Sequence, residues 1–443
     1  MDSARREEIA RRVLEHSGAD QTETLISSTD AALTRFTHEA SNQSVALSDV
    51  AISVRAIVGG RTGVARTNCL DDASLRDVAA RAIALAKLAP ADPLQVELPA
   101  GAATAAPVGA YDRATAGAPA GVRAAMCDAI FRAAEADGFW CAGYASTDAS
   151  GITIANSSGA LASFDGTAAA VNVKMNAASS TGFGEAYAPA VGSIDAAAAA
   201  SRAAAKAREG ASPRAVDPGG WTVVFEPAAF GELVAYLAEH FSAQSYEEGS
   251  SFFSDGLNRR YFADNVTLYD DYAHPLKPGM PFDYEGQPKS RLALIDRGVV
   301  RQIVTDSYYA RKLGRINTGH ALPAPNSWGP QAHDLVVGAG EKTVEQLVAE
   351  TKRGLLVTRT WYIRTVDRKR AIVTGMTRDG TFAIEDGRVT GGVRNLRFNQ
   401  SLLEMLQRCE FARDQVRTES YHYALVTPAV KVENFTFTST TEF

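Results

Sequence analysis

"SVALSDVAISVRAIVGGRTGVART", residues 44–67, alternates apolar or small residues with polar ones at a period of two. Successive strand side chains point to opposite faces, so the run has one apolar and one polar side. Gly59 and Gly60 interrupt it with residues suited to a tight turn. The same period appears upstream in "TETLISS" (22–28) and "AALTRFT" (31–37). Together these segments predict an antiparallel meander with one wet face. Helical periodicity flanks it. Ile9, Val13 and Leu14 mark a helix from Ser3 to His16, and "DDASLRDVAARAIALAKLA" (71–89) a second, with Asp71 or Asp72 as its cap.

The pattern then recurs. Residues 89–120 are rich in Ala, Pro and Gly and read as an extended loop. "PAGVRAAMCDAIFRAAEADG" (119–138) is a third helix, closed by Gly138. A second meander follows from Phe139: "FWCAGYAS", "GITIANS", "ALASFDG" and "AAAVNVKMN", with "DASG" (148–151) and "NSSG" (156–159) as turns. "SIDAAAAASRAAAKAREG" (193–210) is helical by propensity. The order predicts one α+β domain, antiparallel sheet flanked by helices, with a loose internal repeat. "GASPRAVDPGG" (210–220) reads as a linker and sets the boundary, giving domains at 1–212 and 213–443.

The second domain reads as mainly antiparallel β, for an α+β chain overall. Its strands are expected in "WTVVFEP", "FADNVTLYDD", "SRLALIDRGVVRQIVTD", "GLLVTRTWYIRTV", "RAIVTGMTRDGTFAIEDGRVTGGVRNLRF" and "AVKVENFTFTSTT". "TRDG" (377–380) and "EDGR" (385–388) read as hairpin turns. "SYYARKL", "TVEQLVAET" and "SLLEMLQRC" read as short helices.

Bulk properties exclude several functions. The chain has 443 residues, enough for two large domains. No apolar stretch approaches a membrane span, and the charged first helix lacks the apolar core of a secretory signal, so no membrane is expected and a cytoplasmic place is. Net charge is -6 with no long basic run, which argues against nucleic acid. Cys69, Cys127, Cys141 and Cys409 are scattered without C-x-x-C spacing and read as small buried hydrophobes. "VGAGEKT" at Val337 lacks phosphate-loop spacing, and Thr343 there reads as a helix cap.

One helix invites a chemical reading. In "GELVAYLAEHFSAQSYEEGSSFFSD" (231–255), Pro227 upstream suits a first turn, and Phe230, Leu233, Val234 and Leu237 recur at helical spacing. Zinc hydrolases place two ligands and a glutamate base on such a helix. Here His240 stands alone, with Ala235 and Tyr236 before it, and a lone His near a helix C-terminus is ordinarily a dipole-satisfying or capping residue. No two of the seven histidines, His422 included, are four apart. "DSYYARKLGRINTGHA" gathers Asp306, Tyr308, Tyr309, Arg311, Lys312 and His320, which could line a polar cavity.

Several of these segments, in order, resemble the TldD/PmbA family. They are "TVVFEPAAFGELVAYLAEHF" (222–241), "LIDRGVVRQIVTDSYYARKLGRINTGHA" (294–321), "EKTVEQLVAETKRGLLVT" (341–358), "GTFAIEDGRVTGGVRNLRF" (380–398) and "PAVKVENFTFT" (428–438). TldD-type subunits of that family carry H-E-x-x-x-H on the helix opening the C-terminal domain, with a later cysteine as a further zinc ligand. TldE (PmbA)-type subunits keep the fold without them. Ala235 and Tyr236 stand where the first His and the Glu belong, His240 holds the second His position, and no cysteine lies between Cys141 and Cys409. The resemblance therefore implies a non-catalytic, TldE-like subunit of a cytoplasmic zinc metallopeptidase. It implies a heterodimer with a TldD-type subunit, zinc in that partner and none in this chain, and unfolded or short peptides as substrates. On this reading no residue here is catalytic or metal-binding. The candidate substrate contacts are His240, Tyr246, Ser250, Ser251, Tyr308, Tyr309 and His320. Two alternatives remain open. One is a non-proteolytic homodimer that holds a peptide or metabolite. The other is a metal-free enzyme using Asp306, Glu247 or Glu248 as acid and base.

Overall fold

The computed structural model describes residues 1–101, 104–420 and 423–441; His422 lies outside them. The first half begins with helix α1 (Ser3–His16), capped by Asp2, whose side chain accepts from the Arg5 N–H. Strands β1 (Gln21–Thr37), β2 (Ala40–Val58) and β3 (Arg61–Thr67) follow, then α2 (Asp72–Leu88), with Asp71 as the cap. After the short turn α3 (Arg113–Ala116), the pattern repeats as α4 (Ala120–Asp137), β4 (Trp140–Asn156), β5 (Leu161–Asn176), β6 (Thr181–Ala188) and α5 (Ala196–Glu209). Gly138 closes α4 in the left-handed conformation at φ 65.

The six strands form one antiparallel sheet in the order β3-β2-β1-β4-β5-β6. Each helix–three-strand–helix unit contributes half, and the halves meet at the β1–β4 pair. The anticipated repeat is therefore a structural one. Its edges also match. Gly63 on β3 lies against the α2 backbone, where an added Cβ would stand 2.2 Å from the Ala86 nitrogen. Gly182 and Gly184 on β6 lie against α5, where added Cβ atoms would stand 2.0 Å from the Ala203 and Ala199 carbonyl oxygens. In both halves glycine lets a helix pack closely on an edge strand.

The meander differs from expectation in three ways. The strands are longer: β4 runs straight through "DASG", and β1 through Thr29-Asp30. An unbroken β1–β4 register from Glu23↔Asn156 to Thr37↔Ala142 holds both. A ladder on each side thus overrides local turn propensity. β6, "TGFGEAYA", was not anticipated. The sheet's second face is not wet throughout. All four long helices pack on one face, through Ile26, Val54 and Phe36, while on the other Phe282, Met280 and Tyr284 cover Leu25, Ile152 and Ile154. Of the cysteines, Cys127 and Cys141 are buried as expected, but Cys69 is exposed and Cys409 half-buried.

The second sheet takes strands from residue 219 onward. In chain order these elements are β7 (Gly219–Phe225), α6 (Pro227–Ala238), α7 (Ala243–Glu247), β8 (Leu268–Asp270), β9 (Leu292–Asp296), β10 (Val299–Val300), α8 (Ser307–Leu313) and β11 (Leu335–Val337). They continue with α9 (Val344–Ala349), β12 (Arg353–Asp367), β13 (Ile372–Glu385), β14 (Arg388–Gly392), β15 (Leu396–Ser401), α10 (Leu402–Met405), β16 (Cys409–Glu419) and β17 (Ala424–Thr440). β7 pairs in parallel with β12 and antiparallel with β17, so β17-β15-β13-β12-β7 close into a ring. Phe225, Phe398, Phe435 and Phe437 pack within the main core that this region builds. Thr343 caps α9 in a full capping box with Gln346. "EDGR" is a hairpin turn, with Asp386 and Gly387 at φ 47 and 77. "TRDG" is not: β13 continues through it. Asp379 and Gly380, at φ 53 and 128, bend the strand instead. The buried Asp379 carboxylate meets Lys174 at 3.2 Å, Arg359 at 3.0 Å and the Thr181 hydroxyl at 2.9 Å, tying the two sheets together.

Candidate functional site

Helix α6 buries Phe230, Leu233, Val234 and Leu237, as its spacing requires. Ala235 is fully buried, and Tyr236 next to it donates its hydroxyl to the Ile363 carbonyl at 2.6 Å. The Tyr423 hydroxyl reaches the Ala235 carbonyl at 3.4 Å. His240 follows in a 3-10 turn, Glu239–Phe241, and is 4% exposed. Its ring stands edge-on to Phe252 at 5.1 Å, and its Nδ1 has no hydrogen-bond partner among the described residues. Burial, with Arg368 adding repulsion, pushes its pKa down to about 3. A ring neutral at pH 7 brings no charge to the helix end, which corrects the dipole-partner reading. The residues present do not fit a zinc ion. A methyl and a committed phenol flank a single imidazole, where a catalytic zinc takes about three protein ligands. Among the described residues no group of three or more His, Cys, Asp or Glu side chains is placed to hold a metal.

The other candidate contacts separate into three places. Tyr246 lies on α7, half-buried, with the Arg315 guanidinium 5.6 Å from its ring centre. Ser250 donates its hydroxyl to the Ser245 carbonyl at 3.2 Å, and buried Ser251 accepts from the Phe253 N–H at 3.4 Å. These serines hold a fold that plants Phe253 against Phe241 and Phe252. His320 is 2% exposed, 3.1 Å from Asp270 and 2.9 Å from the Thr318 hydroxyl, inside a buried charge network. Glu247 pairs with Lys312 at 3.0 Å, and Glu248 accepts from Gln244 at 2.9 Å.

Tyr308 and Tyr309 do line a cavity, as does Asp306. Its volume is about 690 Å³, and it opens at the seam between the two sheets. β2 and β3 supply Arg55, Gly63 and Val64, and α2 supplies Leu85. Across the seam stand Gln244, Glu285, Asp306, the two tyrosines and the 321–329 segment. Asp306 reaches this position as the cap of α8, its Oδ1 accepting from the Tyr309 N–H at 2.8 Å. Arg55 is the cross-strand partner of Glu23, and their side chains pair at 2.7 Å. Arg55 also approaches Glu285 at 3.5 Å, and Glu285 accepts from the Ser307 N–H at 3.1 Å. Burial, aided by the Glu285 charge and opposed by the Tyr309 N–H, pushes Asp306 up to about 6. Burial and Glu285 likewise push Asp283 up to about 7. Of the two, Asp306 lines the cavity, and a perturbed carboxyl in a cleft marks a candidate functional site. The sequence pointed to Asp306 and the tyrosines by adjacency. It gave no sign of Arg55, Glu23 or Glu285, which lie far apart in the chain.

The family model for the PmbA/TldA metallopeptidase C-terminal domain matches residues 218–439, and that for PmbA/TldA metallopeptidase domain 1 matches residues 43–86. The metalloprotease PmbA of Escherichia coli O157:H7 is 28% identical over 213 residues, 47% of this chain and 44% of that protein. A metalloprotease PmbA homolog of Haemophilus influenzae is 25% identical over 198 residues, 42% of this chain and 40% of that protein. The match thus spans less than half the length of these curated relatives. The crystal structure of TldE from Thermococcus kodakarensis superposes with a TM-score of 0.89 at 21% identity, covering 98% of this chain and 100% of that one, a likeness of fold.

Proposed function

The chain belongs to the PmbA/TldD metallopeptidase family, and from that premise we propose that it is a non-catalytic, TldE-like subunit of a heterodimeric zinc peptidase. In this reading a TldD-type partner carries H-E-x-x-x-H and holds the zinc, while this chain shapes the chamber and binds unfolded or short peptides. The carrying observation is the pair Ala235 and Tyr236. A buried methyl stands at the first ligand position, and the phenol at the base position is committed to the Ile363 carbonyl. An imidazole and a glutamate there would coordinate zinc and activate its water. The seam cavity supports the binding role, since it is large, partly apolar and lined from both halves of the fold.

The test is reconstitution. This chain, purified alone, is mixed with a family member carrying H-E-x-x-x-H and assayed on an unfolded peptide. The reading expects a stable one-to-one complex whose peptidase activity exceeds that of either chain. Failure of the two chains to associate, with full activity in the partner alone, would refute it.

A further inference from the structure

We propose that the seam cavity binds a primary ammonium group, seated between Asp306, Glu285 and the rings of Tyr308 and Tyr309. The inference rests on the peptide-binding reading above and names the chemistry by which this site would hold its ligand.

The charge balance points to a cation. The cavity wall carries the carboxylates of Asp92, Glu285 and Asp306 against the single guanidinium of Arg55. Arg55 is already held by Glu23 at 2.7 Å and meets Glu285 only at 3.5 Å. Of the cations beside the wall, Lys312 is paired with Glu247 at 3.0 Å and Arg311 donates to the Gln95 carbonyl at 2.8 Å. With Glu285 already beside Arg55 and Asp92 exposed, Asp306 is the buried carboxylate on the wall without an ion-pair partner among the described residues.

A second observation is independent of that count. Asp306 is only 8% exposed and faces the cavity. Its Oδ1 is taken by the Tyr309 N–H, and among the described residues no donor reaches Oδ2. That oxygen opens to the cavity, where a ligand ammonium would supply both a donor and the matching charge. Tyr308 and Tyr309 stand edge to face at 5.3 Å and provide ring faces beside it. Those faces already draw a cation: Lys312 Nζ lies 5.9 and 5.7 Å from the two ring centres. Val64, Leu85, Val96 and Leu322 add an apolar wall for whatever carries the ammonium.

Two sources fit this chemistry, the amino terminus of a peptide and a lysine side chain. Calorimetric titration separates them with three probes: an Ala-Phe tetrapeptide amide with a free amino end, its N-acetyl form, and an N-acetyl form carrying one lysine. The free-amine peptide should bind at least about tenfold more tightly than its acetylated form, as loss of a charge-assisted hydrogen bond requires. Recovery of affinity in the lysine form would assign a side-chain source, and no recovery would assign the amino terminus. Asp306→Asn keeps a capping oxygen for α8 and removes the charge, so it should abolish the preference for the free amine. Glu285→Gln should narrow the preference as well, and serves if Asp306→Asn fails to fold. Equal binding of all three probes by the parent chain would overturn the ammonium site and leave peptide binding intact. Binding of none would overturn both.

Discussion

Asp334 is the anchor of the irregular region between β8 and β11, and its removal should be severe. The carboxylate is buried, with Lys277 Nζ at 2.6 Å from Oδ1 and Lys289 Nζ at 2.6 Å from Oδ2. Its own N–H donates to Asp270 Oδ2 at 2.9 Å, which links it to the Asp270–His320 pair. The lysine side chains are only 14% and 8% exposed, so neither can turn to water without moving the backbone. Asp334→Ala strands two buried ammoniums, and such a break costs about 3–5 kcal/mol. For a unit of this size, that is roughly 6–20 °C in thermal midpoint. Adding Lys289→Met removes one stranded charge, so the double mutant should be more stable than Asp334→Ala alone. Burial alone would raise the Asp334 carboxyl, but Lys277 and Lys289 outweigh it and hold it below the ordinary value. The sign follows: the contribution is complete above the unfolded value of about 3.9 and is lost only as pH falls below it toward the native value. Calorimetric or circular-dichroism melting of parent, single and double mutants checks all of this. A shift under 2 °C for Asp334→Ala, or strictly additive losses, would refute the claim that this network holds the region.

Other sites give sharper contrasts. Gly184→Ala places a Cβ 2.0 Å from the Ala199 carbonyl oxygen and must push α5 off β6, costing about 1–3 kcal/mol or more in a denaturant melt, while Gly18→Ala, with nothing within 4 Å, should be neutral. His240 is neutral when folded and titrates near 6.5 when unfolded, so between pH 6.5 and about 3 it withdraws about 1.4 kcal/mol per pH unit from the fold; His240→Leu should flatten that decline, and an unchanged pH profile would show the ring is not buried as described. Ala235→His with Tyr236→Glu gives up the Tyr236–Ile363 hydrogen bond and crowds a closed position. That double mutant should melt lower than the parent, take up zinc weakly in calorimetry and show negligible peptidase activity.

Legibility followed the range of the forces involved. Helix ends set by a local group, Asp71, Gly138, Pro227 and Thr343, could be read directly. So could the alternation within β2, because half of each strand faces a helix layer. Strand length could not. "DASG" carries turn chemistry, yet Asp148 to Gly151 sit in a ladder between β1 and β5, where pairing on both sides outweighs it. β6 escaped notice because Gly182 and Gly184 occupy its inward positions, where a branched side chain would have announced a strand but would strike α5. At the site, the α8 residues were legible as neighbours in sequence. Arg55 looked like any outward polar residue of a half-wet strand. Only the closure of residues 280–285 over that face turns it into the wall of a cavity.

The central proposal is that this chain keeps the fold of its metallopeptidase family and holds no zinc of its own. The most direct test is the zinc content of the purified chain, measured by plasma mass spectrometry after dialysis against zinc-supplemented buffer. The account expects far less than one zinc per chain, unchanged by His240→Leu. One zinc per chain, lost in His240→Leu, would contradict it.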